Sequence, residues 1–213
     1  VFIVNKKLAG DIKITSFADL LNPALKGKIA FGDPANSSSA FQCLMAMLYS
    51  NGKNGDPMSP DAWAYVDNFI KNLDGKLLNS SGAVHKGAAD GEYTVGLTWE
   101  DPAATYVKNG ADVAVVFPAE GAIFPGESVQ IINGAKHMEN AKKFVDFMLS
   151  KKIQEEAGKT LTVRPLRKGV ALADYMTPQD TIKVVPNYDE GWVSEYKKEI
   201  VAEWNKHLEN SRQ

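Results

Sequence analysis

A single cysteine, Cys43, stands in 213 residues, so no disulfide can form within the chain. It falls among apolar residues and reads as a small buried hydrophobe. No run of about 18 apolar residues occurs, so no segment reads as a membrane-crossing helix. The opening Val1-Phe2-Ile3-Val4 is too short for a secretory leader and lacks its charged start. Basic charge is not in surplus. The 24 Lys and Arg face 26 Asp and Glu, a net charge of −2, which argues against nucleic acid or an anionic membrane surface as partner. Enzyme signatures are missing too: no G-x-S-x-G, no G-x-x-x-x-G-K-[ST], no G-x-G-x-x-G and no H-E-x-x-H. The three histidines, His85, His137 and His207, are scattered and read as solvated. No catalytic residue, metal ligand or cofactor is assigned. Repeats and low-complexity segments are also absent.

What is present is a sizeable apolar fraction, 44%, arranged in alternating elements. Short apolar runs at residues 1–5, 28–31, 93–99, 113–117 and 128–132 read as strands. Helical spacing follows several of them: Phe41, Leu44, Met45 and Leu48, then Trp63, Val66, Ile70 and Leu73. Ser16 is expected to cap a short helix over 17–21, and Ser59-Pro60 to open the helix carrying Trp63. Strands alternating with helices predict an α/β fold with a mostly parallel sheet flanked by helices. Beyond Asn133-Gly134 the character turns helical. Ala141, Phe144, Val145 and Met148 form one stripe, and residues 151–157 a second helix. Trp192, Tyr196, Ile200, Trp204 and Leu208 predict one long amphipathic helix from about Gly191.

Ligands of α/β sheets sit beyond the carboxyl ends of the strands. Three such ends carry polar residues. After the second strand, Asp33-Pro34-Ala35-Asn36 leads into Ser37, Ser38 and Ser39, with Ala40 supplying the next backbone N–H. A helix start offers unpaired N–H groups and a positive dipole end, and hydroxyls add donors, so this is an anion site or simply an N-cap. After the third strand come Trp99, Glu100 and Asp101. Trp99 suits a sugar ring or a cation, or the core. The carboxylates suit sugar hydroxyls or an ammonium, and Asp101 before Pro102 also suits an N-cap. Glu120 beside Gly121 follows the next strand as a third rim carboxylate, or as an ordinary turn residue. The sequons at Asn36 and Asn79 are read as accidental.

The phrase Thr15-Ser16-Phe17-Ala18-Asp19-Leu20-Leu21-Asn22-Pro23-Ala24-Leu25-Lys26-Gly27-Lys28-Ile29-Ala30, followed by Asp33-Pro34, resembles the opening of the second lobe in family-1 solute-binding proteins of bacterial ABC importers. The nearest branch includes ferric-ion, phosphonate and sugar-phosphate binders. The segments Gly96-Leu97-Thr98-Trp99-Glu100-Asp101-Pro102-Ala103 and Val115-Val116-Phe117-Pro118-Ala119-Glu120-Gly121 are similar to the same family, as is residues 140–150 to its helix returning to the first lobe. The resemblance covers nearly the whole chain. It implies a type II periplasmic-binding-protein-like fold: a hinge strand at 1–5, lobe two at 6–117, a return hinge at 118–134, and a C-terminal helical part of lobe one at 135–213. The front of lobe one would be missing, so the chain would be a fragment or processed form.

The resemblance implies capture of a small polar solute between lobes and delivery to a membrane permease. The location would be periplasmic, or extracellular with a lipid anchor. An anionic solute, such as a sugar phosphate, organophosphate or phosphonate, is expected at Ser37, Ser38, Ser39 and Ala40. Discrimination is expected from Trp99, Glu100, Asp101 and Glu120. Ferric binders of the family carry adjacent tyrosines near Trp99-Glu100, and no Tyr-Tyr pair occurs here. A metal ion or a polyamine remains an alternative solute, and an α/β hydrolase or transferase an alternative class. The stripe from Trp192 to Leu208 is expected to pack on lobe one through the missing N-terminal segment, or on a second copy.

Overall fold

The structure, a computed structural model, describes residues 1–212. It divides into two compact units, Val1–Phe124 with Gln179–Gln213, and Pro125–Pro178.

The first unit is built on four strands, β1 (Phe2–Asn5), β2 (Ile29–Ala30), β3 (Val95–Leu97) and β4 (Val113–Val116), in the order β2-β3-β1-β4. β2 and β3 pair in parallel, Ile29 against Val95 and Ala30 against Gly96. β1 runs antiparallel to both β3 and β4 and leads directly into a single helical turn, α1 (Lys6–Ala9). β2, β3 and β4 therefore point the same way, with β1 reversed among them. β1 is thus an interior strand of the sheet, with Ile3 fully buried. Beyond β2, Leu78 makes a parallel bridge to Gly32 and extends the edge.

Alternation along β1 sends side chains to two cores. Phe2 and Val4 join Ile29, Phe31, Val95 and Leu97 under helices α2 (Ser38–Asn51), α3 (Pro60–Leu73) and α9 (Lys197–Asn210). Ile3 faces Ala88, Ala103 and Val113 under α4 (Ser81–Ala89) and α5 (Glu100–Lys108). The product is a helix–sheet–helix sandwich. Gly96 lets α4 cross closely: a Cβ there would meet Val84 and Ile3 at 3.1 Å. Gly121 adopts φ +140°, and a Cβ would strike the Val185 backbone nitrogen at 2.8 Å. That close approach allows Ala122 and residues 183–185 to exchange backbone hydrogen bonds of 2.9 and 3.0 Å.

The C-terminal stripe departs from expectation. Two helices replace one, α8 (Glu190–Glu195) and α9, broken at Tyr196, which lies outside both. Ile200 and Trp204 are fully buried within the first unit. Trp204 sits edge-on to Phe31 at 5.9 Å, and Phe31 edge-on to Phe69 at 5.1 Å. Residues 179–212 therefore pack in one compact unit with residues 1–124, apart from the helices of residues 135–160 with which the sequence grouped them. Sequence periodicity identified the stripe but carried no information on which surface covers it.

His207 is not solvated as expected. It stacks on Trp63 at 4.8 Å, with Nδ1 2.6 Å from Asp67 Oδ1 and Nε2 3.2 Å from Glu203 Oε1, tying α9 to α3.

The second unit holds α6 (Met138–Met148) and α7 (Lys151–Thr160). The expected strand at 128–132 is absent; that stretch is irregular and exposed. No residue of α6 is buried, and Phe144, Phe147 and Met148 are 57%, 54% and 38% exposed.

Candidate functional site

The parallel register of β2 and β3 decides where the polar loops go. Three residues beyond Ala30 is Asp33, and three beyond its partner Gly96 is Trp99. The two loops therefore leave the same end of the sheet side by side. The Gly32–Leu78 bridge brings a third loop alongside, Asn79 and Ser80. Each loop opens a helix: α2, α5 and α4. Three helix starts, each with the positive end of its dipole, gather at one rim.

Asp33 organises the first loop. Its Oδ1 accepts from the Ala35 N–H at 3.0 Å and from the Trp204 indole Nε1 at 3.2 Å, and its Oδ2 from Asn36 Nδ2 at 2.8 Å. Its carbonyl accepts from the Asn36 and Ser37 N–H groups. Ser37 then caps α2, accepting from the Ala40 N–H at 3.4 Å, with its Oγ 3.1 Å from that of Ser39. The cap reading of Ser37 holds. Ser38 is exposed and Ser39 half-buried at the helix start, while the Ala40 side chain is buried. Ser80 plays the same capping part for α4, accepting from the Ala83 N–H at 3.2 Å.

In the loop after β3 Trp99, not Asp101, occupies the capping position of α5, and its side chain makes no capping hydrogen bond. Glu100 and Asp101 lie in the first helical turn, where carboxylates meet the positive end of the dipole. The cap role read for Asp101 is corrected, because the helix begins two residues earlier than its proline suggested. Trp99 is 42% exposed, so it is not core. Its ring meets His85 edge-on at 5.7 Å. His85 Nδ1 is 3.5 Å from Thr98 Oγ1, and its ring lies 5.9 Å from that of Tyr106. Burial pushes the His85 pKa down, and the facing Asp101 carboxylate only partly offsets this. Cys43, one turn into α2, points its thiol toward the Thr98 carbonyl at 4.0 Å, and burial pushes its pKa up.

Glu120 does not join this rim. Its carboxylate accepts from the N–H groups of Phe17 and Ala18 at 3.0 and 3.3 Å, capping the 3-10 turn Ala18–Leu21. It shares a cavity of about 260 Å³ with Tyr49 and Ser50, at the opposite end of α2 from Ser37. Fourteen residues of helix separate the two ends by about 20 Å. The chain beyond β4 folds back over the sheet, the Ala119 N–H donating to the Thr15 carbonyl at 2.9 Å, and carries Glu120 away.

The rim thus gathers Ser37, Ser38, Ser39, the Ala40 N–H, Trp99, Glu100 and Asp101. It adds Ser80, Ser81 and His85, which the sequence reading left out. Ser80-Ser81-Gly82 has the same cap-and-helix pattern as Ser37-Ser38-Ser39; what the sequence hid was the strand bridge at Leu78. Hydroxyls and N–H groups suit an anion, and an exposed indole beside two carboxylates suits hydroxyls or an ammonium.

Residues 1–184 match the family model described as bacterial extracellular solute-binding protein. The spermidine/putrescine-binding periplasmic protein of Escherichia coli is 31% identical over 160 residues, 74% of this chain and 44% of that protein. The periplasmic binding protein AfuA from Actinobacillus pleuropneumoniae, solved with fructose-6-phosphate, is 28% identical, with a TM-score of 0.78 over 98% of this chain and 65% of that one. The periplasmic binding protein P5PA is 26% identical, with a TM-score of 0.74 over 97% and 65%. The chain spans about half the length of the curated relatives it matches. The sheet flanked by helices is that of the type II periplasmic binding proteins. The chain belongs to the bacterial extracellular solute-binding proteins.

Proposed function

We propose that this protein is the solute-binding component of an ABC importer, working outside the cytoplasm and delivering its cargo to a membrane permease. It is periplasmic, or extracellular and lipid-anchored. The favoured cargo is a small organic anion: a sugar phosphate, another organophosphate or a phosphonate. One observation carries this reading. The amino ends of α2, α4 and α5 meet at one end of the sheet, where Ser37–Ser39 and Ser80–Ser81 add hydroxyl donors. Such a cluster offers a phosphoryl group several N–H and O–H donors within a positive local field. Trp99, Glu100 and Asp101 then read the rest of the molecule. The similarity to AfuA, whose structure contains fructose-6-phosphate, supports the choice.

A second reading is a polyamine. The exposed Trp99 beside Glu100 and Asp101 favours it, as does the 31% identity to a spermidine/putrescine-binding protein. Thermal unfolding of the full-length protein separates the two. A binder gains about 2.7 kcal/mol at a ligand concentration 100 times the Kd, and forms no product. Fructose 6-phosphate or 2-aminoethylphosphonate is expected to raise the unfolding midpoint. Spermidine, glucose and ferric citrate are expected to leave it in place. A rise with spermidine alone overturns the anion reading, and turnover of any of these compounds overturns the binding-protein reading.

The second unit has a place in this proposal. Its exposed face of Phe144, Phe147 and Met148 is large for a surface left in water. In relatives about twice as long, more polypeptide belongs to the same fold. We assign this face, rather than the C-terminal stripe, to contact with further polypeptide of its own lobe.

A further inference from the structure

His85 lies at the meeting point of three elements that shape the rim. It sits in the second turn of α4, 3.5 Å through Nδ1 from the buried hydroxyl of Thr98 at the end of β3. Its ring abuts the Trp99 indole edge-on, at 5.7 Å and 83°. On its other side the Tyr106 ring of α5 closes at 5.9 Å. Trp99 follows Thr98 directly and is 42% exposed, and His85 is the ring that backs its indole.

We infer that His85 is the positioning residue for the Trp99 face, and that the charge it carries tunes how strongly the rim holds an anion. The second clause rests on the solute-binding reading; the first does not. The groups facing His85 are few. From α5 they are the Asp101 carboxylate and the Tyr106 phenol. From the end of β3 they are Thr98 and Trp99, both uncharged. From α2, Cys43 reaches the Thr98 carbonyl with a thiol that burial keeps protonated. From the start of β1 the Val1 ammonium donates to that same carbonyl at 2.9 Å, with burial pushing its pKa down against the Cys43 thiol and the Glu100 carboxylate. On α4 itself, Lys86 is paired with Asp90. Burial favours the neutral ring and Asp101 opposes it. Near pH 7 the imidazole is therefore neutral and packs as an aromatic. At lower pH it becomes a cation behind the rim. An anion seated at the three helix starts attracts that cation, so anion binding and proton uptake reinforce each other. By reciprocity, anion affinity rises as pH falls through the histidine range, and the affinity of a cation falls.

Two readouts test this. The first needs no solute. The emission of Trp99, taken as the difference between the protein and its Trp99→Phe variant, is followed from pH 8 to pH 5. We expect a single transition below the ordinary histidine value of about 6.5, since an adjacent imidazolium quenches indole. It should vanish in His85→Gln, with the far-ultraviolet circular dichroism unchanged. A transition that survives in His85→Gln, or no transition in the parent protein, overturns the positioning role. The second readout is sulfate affinity at pH 5.5 and 7.5, because the charge of sulfate is constant across that range. The affinity is expected to be about fivefold higher at pH 5.5 in the parent protein, and equal at both pH values in His85→Gln. Equal affinity in the parent protein, or no sulfate binding where an organophosphate still stabilises the protein, overturns the charge role alone and leaves the solute-binding reading standing.

Discussion

The two compact units treat their apolar residues in opposite ways. In the first, Phe2, Phe31, Leu44, Met45, Phe69 and Trp204 are all sealed from water. In the second, the helix with the cleanest apolar stripe buries nothing, and Phe144 and Phe147 are more than half exposed. The first unit holds its own core and can present a preorganised rim. The second leaves an apolar face exposed. A recognition loop is only as well placed as the framework beneath it, and here the framework reaches the loop directly: buried Trp204 donates its indole N–H to Asp33, which folds the turn before Ser37.

The sharpest way to break this contrast is a pair of truncations. Trp204→Ala should cost about 3–5 kcal/mol, from the lost packing on Phe31 and the lost bond to Asp33. Phe144→Ser should stay within about 0.5 kcal/mol, the range of surface changes. Urea titration of both variants decides; equal costs would erase the distinction between the units. Next in size, Gly96→Val should cost about 1–3 kcal/mol, since the new side chain meets Val84 and Ile3 across the sheet face. A Gly96→Val variant as stable as the parent would mean that α4 does not cross where described.

Smaller effects probe the rim. Ser37→Ala removes a cap and should cost about 1 kcal/mol of stability. It should also weaken organophosphate binding, whereas Glu120→Gln should leave that binding unchanged. Calorimetric titration of the two variants against fructose 6-phosphate makes the comparison. Loss of binding in Glu120→Gln would return Glu120 to the site.

The smallest expected effect is in acid. Burial opposes the charge of Asp19, but hydrogen bonds from Thr15 and Ser16 outweigh it and hold its pKa below the usual carboxylate value. Lys206, and more weakly His207, hold Glu203 down against burial. Groups with depressed folded pKa values stabilise above their unfolded values, about 4, and lose that contribution as pH falls through the folded ones. His85 follows the same sign in a higher window, its contribution being lost as pH drops below about 6.5. Asp19→Asn should therefore flatten the acid limb of the stability curve. A limb of unchanged steepness would show that the Thr15 and Ser16 bonds carry no net stabilisation.

Much of the first unit was legible because local signals agreed. The serine cap before Phe41, Pro60 after Ser59, and apolar runs bounded by glycine each point one way, and the three forward strands formed within a residue or two of expectation. What the sequence could not reveal was long-range. The Leu77–Leu78 stretch is short and unremarkable, so its bridge to Gly32 was invisible, and with it the entry of Ser80, Ser81 and His85 into the rim. Glu120 misled because strand order predicts where a loop starts, not where it folds back. Ile131 and Ile132 imitated a strand, yet their stretch is irregular and exposed, and among the described residues it pairs with no strand.

The most direct test of the rim is a residue-resolved one. Inorganic phosphate is titrated into nitrogen-15-labelled protein while the backbone amide resonances are followed. The largest shifts are expected at Ser38–Ala40, Ser81–Ala83 and Glu100–Asp101 together, the first turns of α2, α4 and α5. Shifts confined to the cavity of Glu120, Tyr49 and Ser50, or scattered without preference for the three helix starts, would contradict the assignment of this rim as the place where solute is held.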